Sequence, residues 1–293
     1  MDAVDISVII TTYNAPQWLQ KAVWAWQAQD DPAFELIVAD DGSGAETRHV
    51  VTALAADSPI PIRHLWHEDQ GFRKCAILNR ALAATTGDYI IISDGDCLPR
   101  QDFVRVHRSL ARPGRFLSGG YIKLPLPASE QLACGDVLAG AFAQIDWLRR
   151  HGLRRSRKLL LAWPRGPIAR LLDELTPTRP TWNGHNASAF KVDLLAVNGF
   201  DERMQWGGLD RELGERLENA GVHGLQIRHR AICAHLDHGH EYVREEAVAY
   251  NRTLRDQTRR ERRTWTDFGL LKQPQPTAIP QRQTGTAPSV PAT

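Results

Sequence analysis

The chain has 293 residues, of which 42% are hydrophobic and 24% charged, and its formal net charge is +2. This length accommodates a full α/β core in one large domain or two small ones. The four scattered cysteines form no C-x-x-C pair, which argues against a disulfide framework and a cysteine zinc site. No apolar run approaches the roughly 20 residues that span a bilayer, and no leader pattern is visible at the N-terminus. We therefore expect a protein that works in a reducing cytoplasm.

The first third of the chain alternates strand and helix patterns. Short runs rich in β-branched residues predict strands at 6–10, 36–39, 62–66 and 89–92. Helical spacing of apolar residues follows Pro16, and a second helix is predicted over residues 73–84. Such strands, separated by helices, are typical of a parallel, doubly wound α/β sheet, in which ligands bind beyond the carboxyl ends of the strands.

The fourth predicted strand ends in the triplet Asp94-Gly95-Asp96. Side chains two residues apart in a strand point to the same side, and Gly95 lets a ligand approach the backbone. Two converging carboxylates repel each other unless a cation joins them, and Mg²⁺ or Mn²⁺ binds carboxylates together with phosphate oxygens. The triplet therefore suits a metal-bound diphosphate, although Asp and Gly are also common in solvated turns.

Three segments, in this order, resemble the signatures of the family 2 glycosyltransferases with the GT-A fold. Their sequences are D-I-S-V-I-I-T-T-Y-N over 5–14, L-I-V-A-D-D-G-S over 36–43 and G-D-Y-I-I-I-S-D-G-D over 87–96. The resemblance covers about the first third of the chain and extends through Asn79. It implies a Rossmann-like half that binds a nucleotide-sugar, with UDP as the favoured nucleotide.

The resemblance also implies roles for residues in the donor site. Thr11 and Tyr13 would border the base, whereas Asp41, with Asp40, would accept hydrogen bonds from the base or ribose. Arg73 is placed to meet the diphosphate, because a guanidinium engages phosphate oxygens bidentately, or it is simply an exposed arginine at a helix start. The predicted donor-binding residues are Thr11, Tyr13, Asp40, Asp41, Arg73, Asn79 and Asp94.

The second half of the chain resembles the acceptor region of galactosyltransferase-like enzymes. The matching sequences are N-A-S-A-F over 186–190, V-N-G-F-D-E over 197–202 and W-G-G-L-D over 206–210. In that pattern an acidic pair starts a helix, but here Leu209 replaces the first acid. We assign Asp210 as the general base for the acceptor hydroxyl, with Glu212 as the alternative, and the resemblance implies inversion. The predicted acceptor contacts are Asn186, Trp206 and Gly207.

Two histidines, His235 and His238, follow an apolar strand predicted over 231–234. A histidine after such a strand completes the metal shell in related GT-A enzymes. The resemblance therefore implies Asp94, Asp96 and His235 as ligands of Mn²⁺ or Mg²⁺, with His238 as the second choice. Together with His240 the pattern would also suit zinc, and a histidine that bonds only to backbone is the structural alternative.

A basic segment interrupts the α/β pattern. Between residues 146 and 173 there are eight Lys and Arg residues and no acid. A charge run is usually a solvated face, but residues 149–170 would also suit an anionic membrane surface or a phosphorylated acceptor. We predict a peripheral location on the inner face of the membrane. Nucleic acid is disfavoured because no recognition motif is present.

We predict four regions and one principal function. The regions are a nucleotide-sugar-binding half at 1–125, a basic helical insertion at 126–180, an acceptor and catalytic half at 181–270, and a disordered tail at 271–293. The function is metal-dependent, inverting transfer of a sugar to a glycan or glycolipid hydroxyl in bacterial surface polysaccharide or lipopolysaccharide synthesis. The alternatives are a nucleotidyltransferase or sugar-nucleotide pyrophosphorylase, and a non-catalytic carbohydrate-binding homologue.

Overall fold

The computed structural model describes residues 4–153, 166–238 and 244–272. The strands in chain order are β1 (Ile6–Thr12), β2 (Phe34–Asp40), β3 (Ile62–Trp66), β4 (Tyr89–Asp94), β5 (Cys97–Pro99), β6 (Arg115–Ser118), β7 (Gly120–Lys123), β8 (Ala187–Phe190), β9 (His223–Gln226) and β10 (Ile232–His235). The helices are α1 (Pro16–Gln27), α2 (Ala45–Ala56), α3 (Lys74–Ala84), α4 (Phe103–Leu110), α5 (Leu126–Gln131), α6 (Cys134–Leu138), α7 (Ile145–Arg150), α8 (Gly166–Leu175), α9 (Lys191–Ala196), α10 (Leu209–Asn219) and α11 (Glu245–Arg260). A 3₁₀ turn lies at Ala141–Ala143.

The large sheet has the order β3-β2-β1-β4-β8-β6-β9. Its first four strands are parallel, as predicted, whereas β8 runs antiparallel to both β4 and β6. The chain leaves β1 towards β2 and β3 on one side and returns to β4 on the other. Such a reversal of strand order opens a crevice beyond the carboxyl ends of β1 and β4.

Alternate residues of the central strands face two different apolar layers. Val8 and Leu36 pack in one buried cluster with α1 and α4, whereas Ile9 and Ile37 pack in the other with α3 and α10. Because both faces are covered, these strands read as continuous apolar runs rather than as alternating ones.

The second half of the chain is joined directly to this sheet. Strand β8 pairs with β4 over residues 187–190 and 89–92. The small sheet, ordered β5-β10-β7, brings β10 beside β5, immediately after the acidic triplet. Helices α10 and α11 complete this half, and the predicted strand over 231–234 is observed as β10.

Three predictions fall partly outside the described residues. They are the centre of the basic segment at 154–165, His240, and the predicted tail beyond residue 272. In the part of the chain that the structure describes, no helix is both long and apolar enough to cross a membrane.

Candidate active site

The carboxyl end of β4 carries an ion pair in the crevice. Lys74, the first residue of α3, places its Nζ 2.7 Å from Oδ1 of Asp94, and the Thr11 hydroxyl donates to the same oxygen over 3.0 Å. Burial would raise the pKa of Asp94, but Lys74 outweighs it and holds that pKa at about 2. Burial would likewise lower the pKa of Lys74, but Asp94 and Asp210 outweigh it and raise that pKa. Both partners are therefore charged at neutral pH.

Asp96 meets two histidines, His235 at the end of β10 and His238 shortly after it. Its Oδ2 lies 2.7 Å from Nε2 of His238 and 3.7 Å from Nε2 of His235. Ligand atoms of these three residues all lie within 4.8 Å of one another. Nδ1 of His235 lies 2.8 Å from the carbonyl of Leu236, a contact that orients the ring with Nε2 towards Asp96.

The chemistry of this cluster fits a divalent cation. Carboxylate and imidazole are ligands that Mn²⁺ accepts, and Asp94 and Asp96 also have ligand atoms within 4.8 Å of each other. The structure thus places the predicted ligands Asp96 and His235 in one cluster with His238, and it places the predicted ligand Asp94 beside Asp96. The backbone-bonded alternative for His235 holds at the same time, since one ring nitrogen meets the carbonyl while the other meets Asp96.

The turn after β2 is closed by hydrogen bonds. Asp40 has no exposed surface, accepts a hydrogen bond from the Ser43 amide over 2.8 Å and lies 2.9 Å from Nε2 of His64. Asp41 accepts from the Arg73 amide over 2.9 Å and lies 2.7 Å from Nε2 of His67. The predicted ligand contact of Asp40 is therefore corrected, because its carboxylate is consumed inside the turn. Asp41 is likewise bonded through both oxygens, but it keeps 6% of its surface exposed.

Steric constraints explain why position 42 in this turn is a glycine. Its φ is +97°, and a Cβ there would lie 2.6 Å from Cα of Asp69. Asp69 in turn accepts a hydrogen bond of 2.9 Å from the hydroxyl of Tyr13, whose side chain is half exposed. The two loops therefore pack directly and leave the Tyr13 side chain half exposed. Arg73 donates to the Gln70 side chain over 2.6 Å and has no salt bridge among the described residues.

Asp210 stands at the start of α10 with one oxygen unsatisfied. Its Oδ1 is buried and has no hydrogen-bond partner among the described residues. The carboxylate lies against Gly184, where a Cβ would come within 2.8 Å of Oδ1. Burial raises the pKa of Asp210 to about 6, with Lys74 opposing the rise and Asp94 adding to it. A carboxylate with this pKa is suited to proton abstraction near neutral pH.

Glu212 is excluded as the base by its contacts. It is 2% exposed, and its carboxylate accepts hydrogen bonds from Arg216 over 2.8 to 3.0 Å and from the Thr258 hydroxyl over 3.0 Å. Arg216 is fully buried and also bonds the carbonyl of Gly199. The alternative to Asp210 is thus a structural ion pair.

The acceptor side is shaped by a loop that α11 holds in place. Gly207 and Gly208 have φ values of +101° and +97°, which favour glycine, and they precede α10 directly. Asn251 donates its amide protons to the carbonyls of Gln205, Trp206 and Gly207 over 2.8 to 3.2 Å. The loop therefore has one defined backbone path beside Asp210.

Residues 7–114 match the family model described as Glycosyl transferase family 2. The chain carries a family 2 glycosyltransferase domain. Chondroitin synthase of Escherichia coli is 24% identical over 279 residues, which cover 85% of this chain and 37% of that protein. Validoxylamine A glucosyltransferase of Streptomyces hygroscopicus subsp. limoneus is 28% identical over 74% of this chain and 48% of its own length. The chain thus spans less than half the length of these two relatives.

Solved glycosyltransferases share the fold. The mannosyltransferase PcManGT from Pyrobaculum calidifontis, in complex with GDP-Man and Mn²⁺, aligns with a TM-score of 0.54 at 19% identity, over 87% of this chain and 61% of its own. S. aureus TarS 1–349 in complex with UDP-GlcNAc aligns with a TM-score of 0.53 at 16% identity, over 81% of this chain and 60% of its own. The predicted family and the predicted GT-A fold are confirmed.

Two asparagines predicted to bind substrates are structural in this glycosyltransferase fold. Asn79 is 2% exposed, and its amide bonds the backbone of Phe200 in both directions and the carboxylate of Glu202. Asn186 is fully buried and donates to the carbonyls of Gly120 and Ala231. Both predictions are corrected, because saturated, buried amides cannot reach a donor or an acceptor.

Sequence reasoning missed two residues of the glycosyltransferase site. Lys74 directly follows Arg73, and its position at a helix start facing the strand ends was the available signal. His185 precedes Asn186, and its ring centroid lies 4.5 Å from that of Tyr121. Burial lowers the pKa of His185 to about 4 although Asp94 opposes this. This imidazole is therefore neutral beside the acidic triplet.

Proposed function

We propose that the chain is a metal-dependent, inverting hexosyltransferase that moves a sugar from a nucleotide-sugar to a hydroxyl of a glycan or glycolipid. One observation carries the proposal. A cluster that fits a divalent cation and a charged Asp94–Lys74 pair lie at the strand ends of the fold, and the unsatisfied carboxylate of Asp210 interacts electrostatically with both partners of that pair.

The donor half of the crevice is suited to a nucleotide diphosphate. Asp94, Asp96, His235 and His238 would hold the cation, which would stabilise the charge on the leaving diphosphate. Lys74 and Arg73, at the start of α3, add positive charge on the same side. A UDP-sugar is the favoured donor, supported by the UDP-GlcNAc complex of TarS, and GDP-mannose is the second candidate, supported by PcManGT.

Asp210 would accept the acceptor proton during a single displacement. The acceptor oxygen forms a bond to the anomeric carbon while the bond from that carbon to the diphosphate oxygen breaks, and the proton passes to Oδ1 of Asp210. Attack from the side opposite the leaving group inverts the anomeric configuration. No second carboxylate is needed, which is consistent with the structural role of Glu212.

The acceptor is proposed to be a polysaccharide or glycolipid, because the named relatives include chondroitin synthases. Peripheral contact with an anionic membrane is supported by three exposed apolar side chains at helical spacing on α8, Ile168, Leu171 and Leu175. Salt-sensitive co-sedimentation with phosphatidylglycerol vesicles tests this contact. An Ile168→Ser/Leu171→Ser protein that sediments like wild type would contradict it.

The activity is tested by donor hydrolysis and thermal shift. Wild-type protein is mixed with UDP-GlcNAc, UDP-glucose or GDP-mannose, with and without Mn²⁺. We expect one nucleotide class to raise the melting temperature only with Mn²⁺ and its sugar to be released slowly to water. Donor binding without any turnover would favour the non-catalytic homologue. Pyrophosphate formation from a sugar phosphate and a nucleoside triphosphate would favour the pyrophosphorylase.

A further inference from the structure

A cavity separate from the catalytic residues lies in the second half of the chain. It has a volume of about 420 Å³ and lies between α10, α11 and the segment that follows α11. This size falls within the range of about 300–1,000 Å³ that small-ligand pockets occupy. None of the groups assigned to sugar transfer lines it, so its lining calls for a separate explanation.

The segment that forms the outer wall is rigidly held and yet exposes two aromatic rings. Asn198 donates to the carbonyls of Thr266 and Leu271 over 2.7 and 3.0 Å, and the Thr266 hydroxyl donates to Asp201 over 2.7 Å. Trp265 is nevertheless 36% exposed and Phe268 is 40% exposed. The two rings therefore present an aromatic surface to the cavity on a fixed backbone.

Charged and polar groups surround the two rings. The Arg203 guanidinium lies 3.8 Å from the ring centroid of Phe268 and is fixed by two hydrogen bonds to Asp201. Arg262 has a φ of +50° because it is the left-handed residue that ends α11, where the Arg263 amide donates to the carbonyl of Thr258. Its guanidinium is exposed, lines the cavity and has no side-chain partner among the described residues. This side chain is therefore available to a ligand.

This lining is typical of a saccharide site. A sugar ring presents apolar C–H faces, which aromatic rings cover, and a rim of hydroxyls, which charged and amphiphilic groups bond. Of the twelve lining residues only Leu254, Trp265 and Phe268 are apolar or aromatic, and the rest are polar or charged. A membrane or a hydrophobic protein partner would leave the exposed carboxylate of Asp267 unmatched.

The position of the cavity relates it to the acceptor. Asn251 on α11 holds the loop at Gly207, and Thr258 on the same helix lines the cavity. The two residues are seven positions apart, so the cavity lies roughly 10 Å along the helix from that loop. The loop from Asp201 to Gly208 borders both places.

We propose that this cavity is a distal saccharide subsite, which holds a sugar unit of the acceptor several units away from the reacting hydroxyl. The proposal rests on the proposed glycosyltransferase function. It predicts that long acceptors bind better than short ones, because binding energy away from the reaction centre is available only to them.

Direct binding tests the subsite without the donor. Chondroitin hexasaccharide, an acidic probe, and cellohexaose, a neutral probe, are titrated calorimetrically into wild-type protein and into Trp265→Ala, Phe268→Ala and Leu271→Ala. Leu271 is 66% exposed on the same segment but outside the cavity, so its variant is the matched control. We expect at least one probe to bind, about tenfold more weakly to both aromatic variants and unchanged to the control.

Arg262→Gly separates binding from folding. Glycine relieves the positive φ, so this variant should melt no lower than wild type while it binds the acidic probe more weakly. Failure of both probes to bind wild type, or equal binding by all variants, overturns the subsite. Mn²⁺-dependent donor hydrolysis, measured on the same samples, reports separately on the proposed function and should be unchanged in Phe268→Ala.

Discussion

The buried carboxylates on the donor side of the crevice differ from the one on the acceptor side in whether they have partners. On the donor side each buried acid is paired, Asp40 with His64, Asp41 with His67 and Asp94 with Lys74. On the acceptor side Asp210 has one oxygen without a partner among the described residues. Paired acids hold a fixed geometry, and their partners lower the pKa of Asp40 and of Asp94 although burial opposes this. An unpaired acid is available to take a proton, at a cost in stability. Rigid binding and proton transfer thus occupy separate halves of one site.

The largest expected effect comes from removing the unpaired acid. Asp210→Asn should lower the rate of sugar transfer by about 10²-fold or more, because the acceptor proton has no base. Donor affinity in the presence of Mn²⁺ should be unchanged, since the paired acids are intact. Transfer assays and calorimetric donor titrations measure the two quantities. Full turnover by Asp210→Asn would show that the unpaired acid on the acceptor side is not the base.

The metal cluster provides the next largest effect. His238→Ala should weaken Mn²⁺ binding by about 10- to 100-fold, and His235→Ala should do so to a similar extent. Manganese electron paramagnetic resonance measures free Mn²⁺ directly. His49→Ala is the control, because His49 lies on α2 away from the cluster. Unaltered Mn²⁺ affinity in both cluster variants would show that the cation does not bind there.

Lys74 links the two sides and should set the pH dependence. The pKa of Asp210 is about 6, and Lys74 opposes its rise, so kcat/KM should fall about tenfold per pH unit below about pH 6. Lys74→Met removes the opposing charge, so the pKa of Asp210 should rise and the acidic limb should move to higher pH. Lys74→Arg keeps the charge, so the acidic limb of its pH profile should lie at the same pH as in wild type. Identical pH profiles in all three proteins would contradict this link.

The last expected effect is on stability rather than on activity or binding. The folded-state pKa of Asp210, about 6, lies above its ordinary value of 3.8, so the folded protein holds an extra proton between these values and loses stability as the pH rises through that window. Asp210→Asn should therefore be more stable than wild type at pH 8, by up to about 3 kcal/mol, and this gain should shrink towards pH 4. Urea unfolding at both pH values tests the sign.

The sequence predicted the donor half better than the acceptor half. The parallel strands are long apolar runs, and their carboxyl ends must meet at one edge, so Thr11, Asp41 and Asp94 could be placed together in advance. The asparagines could not be assigned, because the side-chain amides of Asn79 and Asn186 find their partners 45 to 123 residues away along the chain. Lys74 was missed because a single lysine at a helix start shows no periodicity.

Strands β6 to β9 were not predicted for a related reason. Strands β6 to β9 have only four residues each, too few to display a period, and they are stabilised by pairing with distant segments. The role of Glu212 likewise depended on Thr258, which lies 46 residues further on. Local pattern therefore identified the motifs, whereas tertiary contacts decided which polar residues stay free to react.

The hydrogen bonds of Asn79 have a consequence for substrate exchange. They tie α3, which carries Lys74, to the backbone of Phe200 on the acceptor side, and β8 adds a strand from that side to the donor sheet. A clamshell motion of the two halves would break both connections inside the apolar core. Substrate entry and product release must therefore rely on local movement of loops at the mouth of the crevice. Turnover should accordingly respond more strongly to substitutions in these loops than to the solvent viscosity, which slows the motion of whole domains.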